Sequence, residues 1–252
     1  GMVSMLPKGN SGEPLDYRPV VLLPMLYRMW ARVRARELDR WIQRSGLGAL
    51  PGRSKGAEEH GLLFALALEY ARARNQCAGG LALDFSKAYD RMDIDMLEHM
   101  ARQARLPAWL WRPMINMYRA PRMLKMGNTV GEWRYPTHGL VPGCPAATFW
   151  MALATYPWIR AMRSLESQPT VRGWVDDLTA YVSGKEEAKA LVTAGVAEAL
   201  AYESAGYSVN REKSGVAATS PAAEAELVAC AQALPLKAKG VVKDLGVVHG
   251  TT

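Results

Sequence analysis

Two apolar runs that end on carboxylates constrain this chain more than any other feature. Residues 81–85 read LALDF and residues 171–182 read VRGWVDDLTAYV. Each has the length and apolar content of a buried strand, and each brings acid to a strand end: Asp84 in the first, Asp176 and Asp177 in the second. Apolar residues on both sides of the Asp pair predict a tight hairpin with the acids at its tip. A carboxylate beside such a run is costly unless it is paired or holds a cation. Asp84 and Asp176 are 92 positions apart, so only a fold that makes the two strands neighbours lets them share one cation. Oxygen donors of this kind suit Mg2+, which usually takes one or two protein carboxylates and fills its other positions with water and phosphate oxygens. Two such aspartates could bridge a pair of ions about 3.5–4 Å apart, the arrangement of in-line phosphoryl transfer. Taken singly, the motifs also have plainer readings: Asp84 as cap of a helix starting near Ser86, Asp176 and Asp177 as turn formers.

The rest of the chain is compatible with a globular, nucleic-acid-binding protein. Of its 252 residues 49% are hydrophobic and 22% charged, which excludes disorder and supplies a sizeable core in one large domain or two small ones. Residues 1–134 carry 21 basic and 13 acidic side chains, net +8, whereas residues 135–252 carry net −1. That asymmetry points to a polyanionic partner on the first half, nucleic acid or an anionic membrane surface. Cys77, Cys144 and Cys230 are far apart and form no CxxC pair, so neither a disulfide framework nor a zinc site is expected, and an intracellular setting is. The longest apolar stretch, GLLFALAL, is far short of a membrane span, and no signal peptide is visible.

Periodicity predicts a hairpin from VSML and YRPVVLL around the turn-forming KGNSGEPLD, then a helix from Pro24 to SGLG with Met25, Leu26, Met29, Trp30, Val33, Leu38, Trp41 and Ile42 as its apolar positions. On that helix Arg28, Arg32 and Arg36 recur every four residues, away from Trp30, Leu38 and Trp41. They are either a solvated face or phosphate contacts. Further helices are expected over about 57–74, 93–104, 107–119, 145–165 with a kink at Pro157, and 185–205, and a hairpin over RMLKM, GNTVGE and WRYPT. A strand with a turn should follow Gly206, and 240–250 should close the chain as a short hairpin or strand.

The order of the segments carries a family resemblance. LPKGNSGEPLDYRPVVLLP, GGLALDFSKAYDRMD, HGLVPGCPAATFW, WVDDLTAYV, AGYSVNREKSG and KDLGVVHG resemble successive blocks of a reverse transcriptase, most like the non-LTR (LINE-type) retrotransposon enzymes, and they span residues 5–250. The resemblance implies an α+β fold: right-hand polymerase fingers and palm, a ferredoxin-like (RRM-like) antiparallel palm sheet, and no thumb, because the sequence ends after the last block. Fingers are expected at 1–80, palm at 81–91 and 138–252, and a fingers/palm connection at 92–137.

The resemblance also implies roles. Asp84 and Asp176 correspond to the paired metal-binding acids, with the Phe85 carbonyl as a further ligand and Asp177 as the weaker third acid; the ion is Mg2+, with Mn2+ as a possible substitute. Tyr89 falls where an aromatic ring crowds the 2′-hydroxyl of an incoming nucleotide and so favours deoxynucleotides. Lys8 and Arg18 match fingers residues that hold the triphosphate. Pro142 and Gly143 lie in the block that contacts the nucleotide, Lys213 corresponds to a lysine that protonates the pyrophosphate leaving group, and LGVVHG resembles a primer grip. Asn210 reads as a turn residue.

Two departures stand out: Pro142 replaces the usual glutamine and offers no amide, and Trp174 replaces the usual tyrosine or phenylalanine before the acids. The implied activity is RNA-directed DNA polymerisation, poorly processive, on an RNA template with a DNA or RNA primer and dNTPs. The alternative is an inactive reverse-transcriptase-like module that binds RNA or protein.

Overall fold

The computed structural model describes residues 2–7, 17–45, 57–238, 241–244 and 247–250. In chain order the elements are β1 (Met2–Pro7), β2 (Tyr17–Leu22), α1 (Met25–Arg44), α2 (Ala57–Ala73), β3 (Ala78–Leu83), α3 (Ala88–Arg91), α4 (Ile94–Gln103), α5 (Ala108–Arg119), β4 (Arg122–Met126), β5 (Thr129–Arg134), α6 (Ala147–Arg163), β6 (Thr170–Trp174), β7 (Asp177–Ser183), α7 (Lys185–Ser204), β8 (Gly215–Ala218), α8 (Pro221–Cys230), β9 (Lys237–Ala238), β10 (Val241–Asp244) and β11 (Val247–Gly250). They form two compact units, residues 1–48 with 89–150 and residues 49–88 with 151–252. α2 packs through Phe64, Leu68 and Ala71 on Ala78 and Ala82 of β3, in the second unit.

The first unit holds a four-stranded sheet, β2-β1-β4-β5. The expected hairpin forms, with Val3 opposite Val21, and β4 adds parallel to β1 with Val3 opposite Leu124. The second expected hairpin, β4–β5, also forms and carries a bulge between Met123 and Lys125. α4 starts on Asp93, whose carboxylate accepts from the N–H groups of Asp95 at 2.7 Å and Met96 at 3.1 Å. α4 and α5 bury Leu97, Ala101, Leu110, Trp111, Met114, Ile115 and Tyr118.

α1 differs from expectation in which side chains it buries. Ala31, Leu38 and Ile42 are buried, while Met25, Leu26, Met29 and Val33 are 75%, 82%, 61% and 58% exposed. The helix carries two apolar stripes on different faces, and only one can meet the core. The other shares its surface with the exposed Arg28, Arg32 and Arg36.

In the second unit the sheet order is β6-β7-β3-β8-β9, and β3 is fully buried. α2 covers one face, where Phe64 stacks on Tyr181 at 5.3 Å. α7 and α8 cover the other, with Gly195 against Leu81 and Leu227 against Gly79. Gly79 and Gly80 lie inside β3. A Cβ on Gly80 would run into the Ala180 carbonyl oxygen and Tyr181, so the strand can approach β7 only without a side chain there.

α6 continues through Pro157, whose missing N–H leaves a gap in the helical ladder. The Tyr202 hydroxyl enters there, accepting from the Trp158 N–H at 3.4 Å and donating to the Ala154 carbonyl at 2.7 Å. α8 is an element that periodicity missed in the Ala-rich stretch. Its local signals are Ser220, whose hydroxyl accepts from the Ala223 N–H at 3.2 Å, and Pro221 at its first turn. β10 and β11 pair antiparallel as the closing hairpin.

Candidate active site

The register of the second unit's sheet brings the two acidic runs together. β3 pairs antiparallel with β7, ending at Leu83 opposite Leu178. Asp84 and Phe85 therefore follow the strand rather than ending it, and Asp84 emerges beside the β6–β7 hairpin. That hairpin closes on Trp174 opposite Asp177, with Val175 and Asp176 as its two-residue turn. Val175 has φ +60° and is the only turn residue with positive φ, the pattern of a type II′ hairpin whose first central residue is normally glycine. A β-branched side chain there stores roughly 1–3 kcal/mol of strain. The buried Thr155 hydroxyl steadies the turn, 3.4 Å from the Val175 carbonyl.

Asp176 is half-buried. Burial pushes its carboxyl above the ordinary range and the charge of Asp84 adds to that, against a hydrogen bond to its own backbone and the nearby Lys213. Lys213 Nζ lies 3.6 Å from Asp84 Oδ2, with the lysine side chain 66% exposed and the aspartate 16%. A positive charge thus already stands against the pair.

Phe85 is buried, its ring 5.4 Å from Tyr202 and 5.7 Å from Tyr207. Its backbone bridges to Val209. Asp177 opens β7 opposite Trp174, one residue past the turn. Among the described residues no three carboxylate, imidazole or thiol groups converge, so Asp177 does not complete a three-acid group with Asp84 and Asp176. The donor chemistry of the remaining pair still fits a hard divalent cation: oxygen-only, buried on one side, and destabilised as two adjacent anions.

One residue missed from sequence locks Asp84 in place. Ser214 is fully buried, and its hydroxyl accepts from the Asp84 N–H at 3.0 Å and donates to the Asp84 carbonyl at 3.3 Å. The same carbonyl accepts from the Asn210 N–H at 2.8 Å. Asn210 is the turn residue expected: its side-chain oxygen accepts from the N–H groups of Glu212 at 3.2 Å and Lys213 at 3.4 Å, and its carbonyl from Ser214 at 2.8 Å. One loop therefore clamps the Asp84 backbone and presents Lys213 to its carboxylate. The only sequence signal for Ser214 was its place beside Lys213 in the REKSG block.

The remaining expected site residues belong to the first unit. Tyr89 lies in α3, half-buried, its carbonyl accepting from the Leu140 N–H at 2.8 Å. Val141–Cys144 form a turn closed by Cys144 N–H to the Val141 carbonyl at 3.0 Å, with Pro142 second and Gly143 third at φ +83°. This is a type II turn, which favours proline and glycine at those positions and gives Pro142 a structural reason. Gly143 and Pro145 line a groove of about 530 Å3 with Met25, Arg28, Met29 and Arg32. Arg36 is exposed further along α1. Arg18 lies in β2 opposite Leu6. Lys8 lies outside the described residues, as do the first two residues of the LGVVHG segment.

The fold is shared with nucleic-acid polymerases. It is similar to a Candida albicans telomerase solved with a TWJ fragment of telomeric RNA (TM-score 0.60, 11% identity, all of this chain and 44% of that one). It is also similar to a Candida tropicalis telomerase in complex with such a fragment (TM-score 0.58, 12% identity, 86% of this chain and 41% of that one). The chain thus spans about two fifths of these structures, and at such identities the likeness establishes the fold alone: a right-hand, polymerase-like arrangement of mixed α and β elements. Residues 6–244 match the family described as reverse transcriptase (RNA-dependent DNA polymerase), and the chain belongs to that family. No curated protein matches it in sequence.

Proposed function

We propose that the chain is the catalytic core of an RNA-directed DNA polymerase of the non-LTR retrotransposon type, extending a DNA or RNA primer on an RNA template with dNTPs. The observation that carries this reading is the convergence of Asp84 and Asp176, from runs 92 positions apart, with Lys213 against them. Asp84 and Asp176, with the Phe85 carbonyl, would hold Mg2+ or Mn2+; the bound ion would neutralise charge developing on the transferring phosphoryl group. Lys213, exposed beside Asp84, would donate a proton to the leaving pyrophosphate.

In the same reading the sheet around β3 and β7 is a ferredoxin-like palm, its order β8-β3-β7-β6 being the one that fold requires. Arg18, with Lys8, would hold the triphosphate, Tyr89 would select deoxynucleotides, and the Pro142–Gly143 turn would border the nucleotide. The groove shared by Arg28, Arg32 and Gly143 supports α1 as a template contact. Binding that leans on arginine–phosphate contacts should be salt-sensitive, with low processivity. Free thiols at all three cysteines support an intracellular setting. A second reading, a module that binds RNA or protein without chemistry, draws on Pro142.

The test is primer extension on RNA and DNA templates, with dNTPs or rNTPs, Mg2+ or Mn2+, beside an Asp176→Ala control. Extension with dNTPs that the control lacks is the expected result. No wild-type extension with RNA binding retained overturns the polymerase reading. Replacing Arg28, Arg32 and Arg36 with Gln should weaken RNA binding and lower the slope of log affinity against log salt by roughly 2, three phosphate contacts at about 0.7 each. Unchanged affinity assigns that face to solvent.

A further inference from the structure

One rung of α6 is closed by a side chain from another helix. In a regular helix the Trp158 N–H would donate to the Ala154 carbonyl, four residues back. Here the Tyr202 hydroxyl stands between them, accepting from the Trp158 N–H at 3.4 Å and donating to the Ala154 carbonyl at 2.7 Å. Pro157, beside this rung, has no N–H, and its ring crowds the carbonyl of the preceding turn, so the helix opens enough to admit an oxygen. α7 holds the tyrosine in place. Gly195 and Tyr202 lie two turns apart on one face of α7, and the Trp158 indole donates to the Gly195 carbonyl at 3.3 Å.

Each side of this contact leads to one of the paired acids. The Tyr202 ring lies 5.4 Å from Phe85 and 5.3 Å from Tyr207, which is itself 5.7 Å from Phe85, and all three rings are buried. Phe85 directly follows Asp84, so this packing fixes the backbone that carries the first acid. On the other side, Thr155 lies within the opened rung. Its buried hydroxyl is 3.4 Å from the carbonyl of Val175, the residue before Asp176. One side chain thus touches the supports of two runs that are 92 positions apart in sequence.

We propose that Tyr202 is a positioning residue that sets the separation of Asp84 and Asp176. Its ring holds Phe85, and its hydroxyl keeps α6 open where Thr155 meets the hairpin turn. This inference rests on the reading that the two acids hold a divalent ion. Ions of this kind accept oxygen donors only in near-ideal geometry, at about 2.0–2.1 Å for Mg2+, so a small change in the separation registers as lost affinity. Without the hydroxyl, the Trp158 N–H and the Ala154 carbonyl can bond each other directly. The rung then closes, Thr155 shifts against the turn, and no buried donor is left unsatisfied.

The experiment titrates Mn2+ alone, without nucleotide or nucleic acid, and follows the free ion by electron paramagnetic resonance, beside melting temperatures in EDTA. Tyr202→Phe should weaken the Asp176-dependent binding by about tenfold or more, as is typical when a group that orients metal ligands is lost. Thr155→Val should weaken it likewise. The double variant should lose little more than either single one, because both act on the same segment. Unchanged Mn2+ affinity in either single variant overturns the proposal, and so do losses that multiply in the double variant. A lowered melting temperature with unchanged Mn2+ affinity marks Tyr202 as structural only. Mn2+ binding that Asp176→Asn leaves intact would sink the metal reading and this inference with it. Binding that Asp176→Asn abolishes and Tyr202→Phe leaves unchanged would overturn this inference alone.

Discussion

Replacing Ser214 with alanine removes a single oxygen, and the geometry says what that oxygen does. The side chain is fully buried, so its space stays apolar and no water is expected to take its place. The Asp84 carbonyl keeps its bond from the Asn210 N–H at 2.8 Å and loses little. The Asp84 N–H loses its acceptor, the Ser214 hydroxyl at 3.0 Å. A buried donor left unsatisfied costs about 1–3 kcal/mol. For a chain of this size that lowers the melting temperature by roughly 2–4 °C per kcal/mol. Ser204→Ala is the matched control: its exposed hydroxyl bonds the Leu200 carbonyl, and the change should stay within about 0.5 kcal/mol. Activity is the second readout. Ser214 positions Asp84 without touching substrate, and a displacement of about 1 Å at a reacting group can cost on the order of a hundredfold. Ser214→Ala should therefore slow primer extension and raise the Mg2+ concentration needed, with RNA affinity unchanged. Melting and metal dependence identical to the unsubstituted protein would refute the clamp.

Asp176→Asn tests the electrostatics. Because burial and Asp84 raise the carboxyl's folded pKa, ionising Asp176 weakens the fold: the unfolding free energy falls as pH rises from the ordinary carboxylate value to the raised folded one, then stays level. In EDTA the variant should melt higher than the unsubstituted protein at neutral pH, with the gap closing in acid; a gap that widens in acid contradicts the assignment. Mg2+ at a hundred times its dissociation constant should stabilise the unsubstituted protein by about 2.7 kcal/mol and the variant much less, as thermal melts would show. Gly80→Ala and Gly143→Ala should differ sharply. The first forces a Cβ into backbone and should cost more than about 4 kcal/mol or abolish folding, whereas the second meets open space at φ +83° and should cost roughly 1 kcal/mol in urea denaturation. Equal losses at the two positions would contradict the close β3–β7 approach.

Local pattern determined a good deal of this protein by itself. The hairpin signals of residues 2–23 and 122–134, the helices, and the two acid-bearing runs are short-range properties, set by side-chain periodicity and by turn residues a few positions apart. The block order was legible for the same reason and led to the family. Tertiary structure decided what depends on residues distant in sequence. Strand order and register put Asp84 beside Asp176. Packing chose which of two apolar stripes α1 buries, leaving Met25 and Leu26 beside the arginines. It made Gly80 the close-contact point of β3. Ser214 could not be recognised as a clamp because a serine's role depends on which backbone groups lie within about 3 Å of its hydroxyl, here those of a residue 130 positions earlier. Hydrogen bonds and steric contacts act over ångströms, whereas sequence records only adjacency along the chain, so the acids were visible in the sequence and their arrangement only in the fold.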